Sequence, residues 1–199
     1  MPCHNIIKKL RAVTHLPTYA GQTVSNDLKL IVENLTSNKP EVFEAVKTSG
    51  FGNCLYNAVS IVLFGTDYYN QQLRMACVYI IINNINYFMQ CALKFSGEFE
   101  IDSTIKNIAT VGKWGGNLAM IALSIVLERP IAIINSSITS QPQNISNHMI
   151  GRIMNAKTKY LLNEPINILL YKQHFTALLP HKNFMLEKFF DNHFQFYLE

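Results

Sequence analysis

The chain has 199 residues, the length of one domain. Hydrophobic residues make up 49% of it and charged residues only 15%, which excludes an intrinsically disordered chain and a long coiled coil. Apart from Lys8, Lys9 and Arg11, the positive residues behind the net charge of +4 are scattered singly, whereas a nucleic-acid footprint needs a basic stripe interleaved with aromatics, so no nucleic-acid partner is expected.

From the N-terminus, Met1 to Leu10 lacks the apolar core of a signal peptide. A short helix is read from Ile6 to Val13. Leu28, Ile31, Val32 and Leu35 recur at i, i+3, i+4 and i+7, which predicts a helix over 27–36 with Asn26 as its cap. Glu41 to Val46 reads as another short helix, and Thr48 to Asn53 as a Gly-containing loop. Asn53 stands at the N-cap position of the next helix, whose stripe is Leu55, Val59 and Val62 and whose end is Phe64-Gly65.

A single longer helix is read from Gln71 to Phe95, with Leu73, Ala76, Ile80, Tyr87 and Cys91 as its apolar stripe. The most apolar run, Met75 to Met89, is interrupted by Asn83, Asn84 and Asn86. It falls short of the roughly 20 apolar residues that span a bilayer, so no membrane partner is expected. A loop from Gly97 to Asp102 carries Glu98, Glu100 and Asp102, and a second loop, Gly112 to Gly116, precedes a helix from Asn117 to Leu127. Ile131 to Ile134 reads as a buried strand. Ser136 to His148 is a polar surface loop. Strands follow at Ile166–Tyr171 and Phe175–Leu179, and the aromatic segment Phe184 to Tyr197 is left unassigned. Helices first and strands later predict one mixed α/β (α+β) domain, with a central sheet packed between helices.

The cysteines are Cys3, Cys54, Cys77 and Cys91. None are spaced as CxxC, so no zinc site is expected. Four thiols in a chain of this size fit a reducing compartment, cytoplasmic or nuclear. Cys54 opens a predicted helix directly after Ser49-Gly50-Phe51-Gly52-Asn53. Free N–H groups and the positive end of the helix dipole favour a thiolate there, which predicts a lowered pKa. The same N–H groups suit a developing oxyanion. From position alone, a small buried residue remains the simpler reading. A thiol nucleophile needs a base, and His174, in Tyr171-Lys172-Gln173-His174-Phe175-Thr176 between two predicted strands, is the best placed of six histidines.

At these residues the chain resembles a known family. Gly52-Asn53-Cys54-Leu55-Tyr56-Asn57-Ala58-Val59-Ser60, followed by Leu63-Phe64-Gly65, is similar to the nucleophile segment of the ovarian tumour (OTU) cysteine proteases. Trp114-Gly115-Gly116 with Ala122-Leu123-Ser124, Leu127 and Pro130-Ile131 resembles the family's second signature, and His174-Phe175 before a hydrophobic strand resembles the third. The three signatures are in order and span about 48–180. The start of the motif resembles divergent members, of vertnin-like or viral type.

The resemblance implies a papain-type fold and a deubiquitinase: Cys54 as nucleophile, His174 as base, and backbone N–H groups of Phe51, Gly52 and Cys54 as the oxyanion site. It implies ubiquitin or polyubiquitin as partner, and neither a metal nor any other cofactor. Departures are Phe51 where the family usually has Asp, Thr176 where many members have Asp or Asn, and Ala119 where Glu is common. The third catalytic residue is then Thr176, Asp27, Asn26 or Asn183. Ubiquitin's tail, Leu-Arg-Leu-Arg-Gly-Gly, needs a channel that is narrow at the diglycine and acidic near the arginines. Trp114, Gly115, Gly116 and Gln173 are the expected substrate contacts; Trp114 also reads as a core aromatic. Glu98, Glu100 and Asp102 read either as partners of the arginines or as a solvated loop, and the Ser136–His148 loop as a further contact. A ubiquitin-binding module without activity, and a protease for another ubiquitin-like modifier, remain open.

Overall fold

In a computed structural model, the chain is described over residues 3–13, 23–35, 43–96, 101–129, 131–135, 148–149 and 165–180. The elements in order are α1 (Cys3–Arg11), α2 (Asn26–Leu35), β1 (Phe43–Val46), α3 (Cys54–Phe64), α4 (Asn70–Asn83), α5 (Ile85–Ser96), α6 (Ile101–Ala109), α7 (Asn117–Leu127), β2 (Ile131–Asn135), β3 (His148–Met149), β4 (Ile166–Tyr171) and β5 (His174–Pro180). This is the α+β architecture expected. The strands form one sheet in the order β1-β5-β4-β2-β3, with β2 parallel to β4 and every other pair antiparallel.

Both faces of the sheet are covered. On one, α3 packs along β5 and β4. Apolar residues line α3 all round because it is enclosed between the sheet and α4; Leu55, Tyr56, Ala58 and Val59 are fully buried. Phe175 and Ala177 of β5 join this larger core, while Leu178 joins a smaller one with Leu28 and Val32 of α2 and Phe43 and Ala45 of β1. The alternation along β5 is that of a strand with two covered faces. The basic cluster at the N-terminus has structural work: Arg11 donates to the carbonyls of Ile125 and Val126 and pairs with Glu128, closing the C-terminal end of α7.

Three expectations about elements are corrected. Residues 43–46 of the Glu41–Val46 segment are a strand. Phe43, Ala45 and Val46 are buried, and the ladder to β5 outweighs a weak local helical pattern. The helix expected from Gln71 to Phe95 is two, bent by 95° at Asn84. Asn83 Nδ2 donates to the Tyr79 carbonyl at 2.7 Å and Asn84 Nδ2 to Ile80 at 2.9 Å, so amide side chains close the last turn of α4. Residues 101–109, not assigned to a helix from the sequence, form α6 with Ile101, Ile105 and Ile108 toward the core. Among the described residues, no single helix is long and apolar enough to cross a membrane.

Candidate active site

Local sequence places Cys54 at the start of α3. Phe51 and Gly52 stand at φ 56° and 76°, so two successive left-handed residues turn the chain into the helix. A Cβ at Gly52 would lie 2.1 Å from the Gly112 carbonyl oxygen, so only glycine lets the two loops touch. Phe51 is 94% exposed and leaves its peptide group to the loop; the N–H groups of Phe51 and Gly52 have no partner among the described residues.

Asn53 occupies the N-cap position but does not cap. Its Oδ1 accepts from the Gly112 N–H at 2.9 Å and from Arg74 Nη2 at 2.8 Å. The first-turn N–H groups of α3 are therefore left to Cys54, which is 2% exposed. The backbone N–H groups of Phe175, Leu55 and Cys54 itself favour the anionic sulfur, as does the charge of Arg74. The predicted lowering of its pKa is not found. Burial pushes the thiol up, and these favourable groups oppose the desolvation without cancelling it.

His174 is the first residue of β5, just before the Phe175 whose backbone N–H favours the anionic sulfur. It follows a two-residue hairpin turn, Lys172 and Gln173, at φ 46° and 59°. His174 Nε2 lies 2.8 Å from Thr48 Oγ1. The same hydroxyl donates to the Phe175 carbonyl at 2.6 Å. A hydroxyl has one proton, so Thr48 accepts from the imidazole: Nε2 carries hydrogen and Nδ1 holds the lone pair. Asn57 of α3 donates to Ser49 Oγ at 2.7 Å and fastens the segment that carries Thr48.

The residues named from the sequence divide as follows. Cys54 opens α3, and His174 stands next to Phe175, whose backbone N–H acts on the Cys54 sulfur. Thr176 lies buried two positions along β5 and is not bonded to His174; the hydroxyl on the ring is that of Thr48. Asn26 and Asp27 open α2 with exposed side chains and do not reach the imidazole; Asn183 lies outside the described residues. Trp114 stacks on Phe175, with ring centroids 5.2 Å apart at 25°, and is 43% exposed, so it stands at the lip of the site rather than in the core. A Cβ on Gly115 would approach Leu55 Cδ2 to 2.9 Å and Tyr56 to 3.1 Å, so this glycine sets how closely the Trp114 loop meets α3. Gly116 is the N-cap of α7 with open space around it, and Gln173 is exposed in the hairpin turn. Asp102 is exposed in the first turn of α6; Glu98, Glu100 and the Ser136–Asn147 segment lie outside the described residues. Sequence reasoning missed Thr48 and Arg74. A threonine before a glycine loop and an arginine inside a helix carry no local signal.

The fold is similar to that of OTU domain structures, with Cys54 at the start of a helix and His174 at the start of a strand. The family profile "OTU-like cysteine protease" matches residues 49–181, and the chain belongs to that family. Among solved structures it is similar to the OTU domain of OTUD1 (19% identity, 76% of this chain and 94% of that chain, TM-score 0.60). It is also similar to the viral OTU domain protease of Dera Ghazi Khan virus (18%, 71% and 83%, 0.51) and to an OTU domain solved in complex with ubiquitin (18%, 75% and 81%, 0.51). At these identities the likeness is one of fold. No curated protein matches the chain.

Proposed function

We propose that this protein is a deubiquitinase that hydrolyses the isopeptide bond at the ubiquitin C-terminus through a thioester, without a cofactor. The observation that carries the reading is an imidazole whose Nε2–H is tied to Thr48, leaving Nδ1 as base, one residue before Phe175, whose backbone N–H acts on the buried Cys54 sulfur. Because burial favours the thiol, Cys54 does not wait as a thiolate. His174 Nδ1 takes the thiol proton as Sγ attacks the carbonyl carbon. The oxyanion is received by N–H groups of the Phe51–Cys54 turn. The imidazolium returns the proton to the leaving lysine Nζ. Water then attacks the thioester, loses a proton to Nδ1, and the proton passes to the departing sulfur. Throughout, Thr48 orients the ring, a role taken by a carboxylate or amide in other thiol and serine proteases.

Ubiquitin as substrate draws support from a neighbour of the same fold solved in complex with ubiquitin. It also fits a half-exposed Trp114 at the lip and a Gly115-Gly116 segment that adds no side-chain bulk. The chain is proposed to act in a reducing compartment, where a free Cys54 persists. A second reading, a ubiquitin-binding module without turnover, is favoured by the raised Cys54 and by the uncharged partner of His174. Incubation with a ubiquitin bearing a C-terminal electrophile separates the two. One ubiquitin adduct on the wild type, absent from Cys54→Ala, is the expected mass spectrum; binding without an adduct would leave the module.

A further inference from the structure

Arg74 is among the most enclosed side chains of the molecule, at 1% exposure, and among the described residues no carboxylate pairs with it. An unpaired buried cation is costly, and an aliphatic residue would fill the same space without that cost. Its donors have specific destinations. Nη2 donates to the Gly52 carbonyl at 3.0 Å, to Asn53 Oδ1 at 2.8 Å and to the Lys113 carbonyl at 2.7 Å. Nη1 donates to the Ile108 carbonyl at 2.9 Å, at the end of α6. The guanidinium lies over the Tyr56 ring of α3, 4.0 Å from its centroid. One planar group thus meets the turn that carries Cys54 and the turn that carries Trp114.

We propose that Arg74 is a positioning residue of the active site: it ties the Gly52–Asn53 turn to the Lys113 turn, and its unpaired positive charge supports the anionic sulfur and oxyanion that form beside them. The proposal rests on Cys54 being the nucleophile. Two observations carry it. The hydrogen bonds join both walls of the site through one rigid fork, which lysine cannot reproduce. The charge is left without a local carboxylate, so its field is not cancelled where Cys54 lies. The charged group acting on the sulfur is Arg74 on α4; Tyr56 on α3 and Cys77 on α4 flank the guanidinium itself.

The decisive variant is Asn53→Asp. An Asp oxygen can accept from both Arg74 and Gly112 as the amide does, so the tie is kept while a carboxylate neutralises the cation. Arg74→Lys keeps the charge and loses the fork; Arg74→Met loses both. Each is assayed for folding by circular dichroism, for the pH profile of Cys54 alkylation by iodoacetamide read on its peptide, and for kcat and KM on ubiquitin with a C-terminal fluorophore. In Asn53→Asp the alkylation midpoint is expected to rise by about one pH unit, with kcat down roughly tenfold and KM little changed. Arg74→Lys is expected to hold the midpoint and lose kcat/KM through loosened loops. A folded Asn53→Asp with an unmoved midpoint overturns the proposal, whether or not Arg74→Met folds. The alkylation arm needs no ubiquitin. A shifted midpoint in a protein that never turns over ubiquitin therefore keeps the role of Arg74 and removes the substrate reading.

Discussion

Thr48 and His174, 126 positions apart in the chain, meet at 2.8 Å, and the hydroxyl that holds the imidazole donates its own hydrogen bond to the Phe175 carbonyl. The two bonds are coupled: while Thr48 donates to the Phe175 carbonyl, the ring presents Nε2–H to Thr48 and keeps its lone pair on Nδ1. Thr48→Val, which keeps the shape and removes the acceptor, is expected to lower kcat about 10- to 100-fold. That is less than the ~10⁴-fold loss seen when an orienting carboxylate is neutralised, because a hydroxyl stabilises imidazolium less. Thr176→Val, at the residue not bonded to the ring, is expected to stay within about threefold of wild type. Steady-state kinetics on a fluorogenic ubiquitin substrate decide; equal losses in the two variants would take Thr48 out of this role.

Adjacent glycines should behave oppositely. Gly115→Ala drives a methyl into Leu55 Cδ2 at 2.9 Å and Tyr56 at 3.1 Å, while Gly116→Ala meets nothing within 4 Å. The first is expected to cost about 1–3 kcal/mol. The second should lie within about 0.5 kcal/mol of wild type. Urea unfolding of both proteins measures the difference directly.

Trp114 gives one ring face to Phe175 and keeps 43% of its surface exposed. Loss of the stack in Trp114→Ala is expected to cost about 1 kcal/mol in stability beyond area burial. If the open part of the ring walls the substrate channel, KM for ubiquitin rises roughly tenfold while kcat moves far less. The reverse pattern, kcat lost and KM kept, would mean that Trp114 supports the Cys54–His174 geometry instead.

Burial raises Cys54 above its ordinary value of 9.0, and fully buried Cys77 is raised as well. The folded protein therefore binds these protons more tightly than the unfolded chain does. Stability is fully present below pH 9 and falls as pH rises past it, because the unfolded thiols ionise first. Unfolding followed from pH 7 to 10 should show this decline, shallower in Cys54→Ala. Alkylation of Cys54 in the free protein should reach half its maximal rate above pH 9; a midpoint near 7 would mean that the site stabilises a thiolate in advance.

The hairpin before His174 places Lys172 and Gln173 at φ 46° and 59°, a conformation that Asn and Gly adopt at lower cost. The double substitution Lys172→Asn, Gln173→Gly is expected to raise stability by about 1 kcal/mol or less. The urea midpoint shows it, and an unchanged or lower midpoint would show that the turn is not strained.

Much of the site was legible in the chain because its signals are local. The Gly52-Asn53-Cys54 turn, the apolar stripe of α3 and Gly65 in the left-handed C-cap are written in consecutive residues. So are the β4 and β5 strands. Other features failed for reasons that can be named. Glu41 to Val46 carried a weak helical spacing, and only its pairing with β5, Phe43 opposite Pro180 to Val46 opposite Ala177, makes residues 43–46 a strand. Asn84 ends α4 through a side-chain bond to Ile80, which a scan for apolar periodicity passes over.

By itself the sequence determined the family, the helix that presents Cys54 and the hairpin that presents His174, since each rests on contacts within a few residues. Tertiary structure alone decided which hydroxyl holds the imidazole, that Cys54 is too buried to ionise readily, and that Arg74 joins two loops. Each of these depends on which distant segments share one volume, and on how much water that volume excludes.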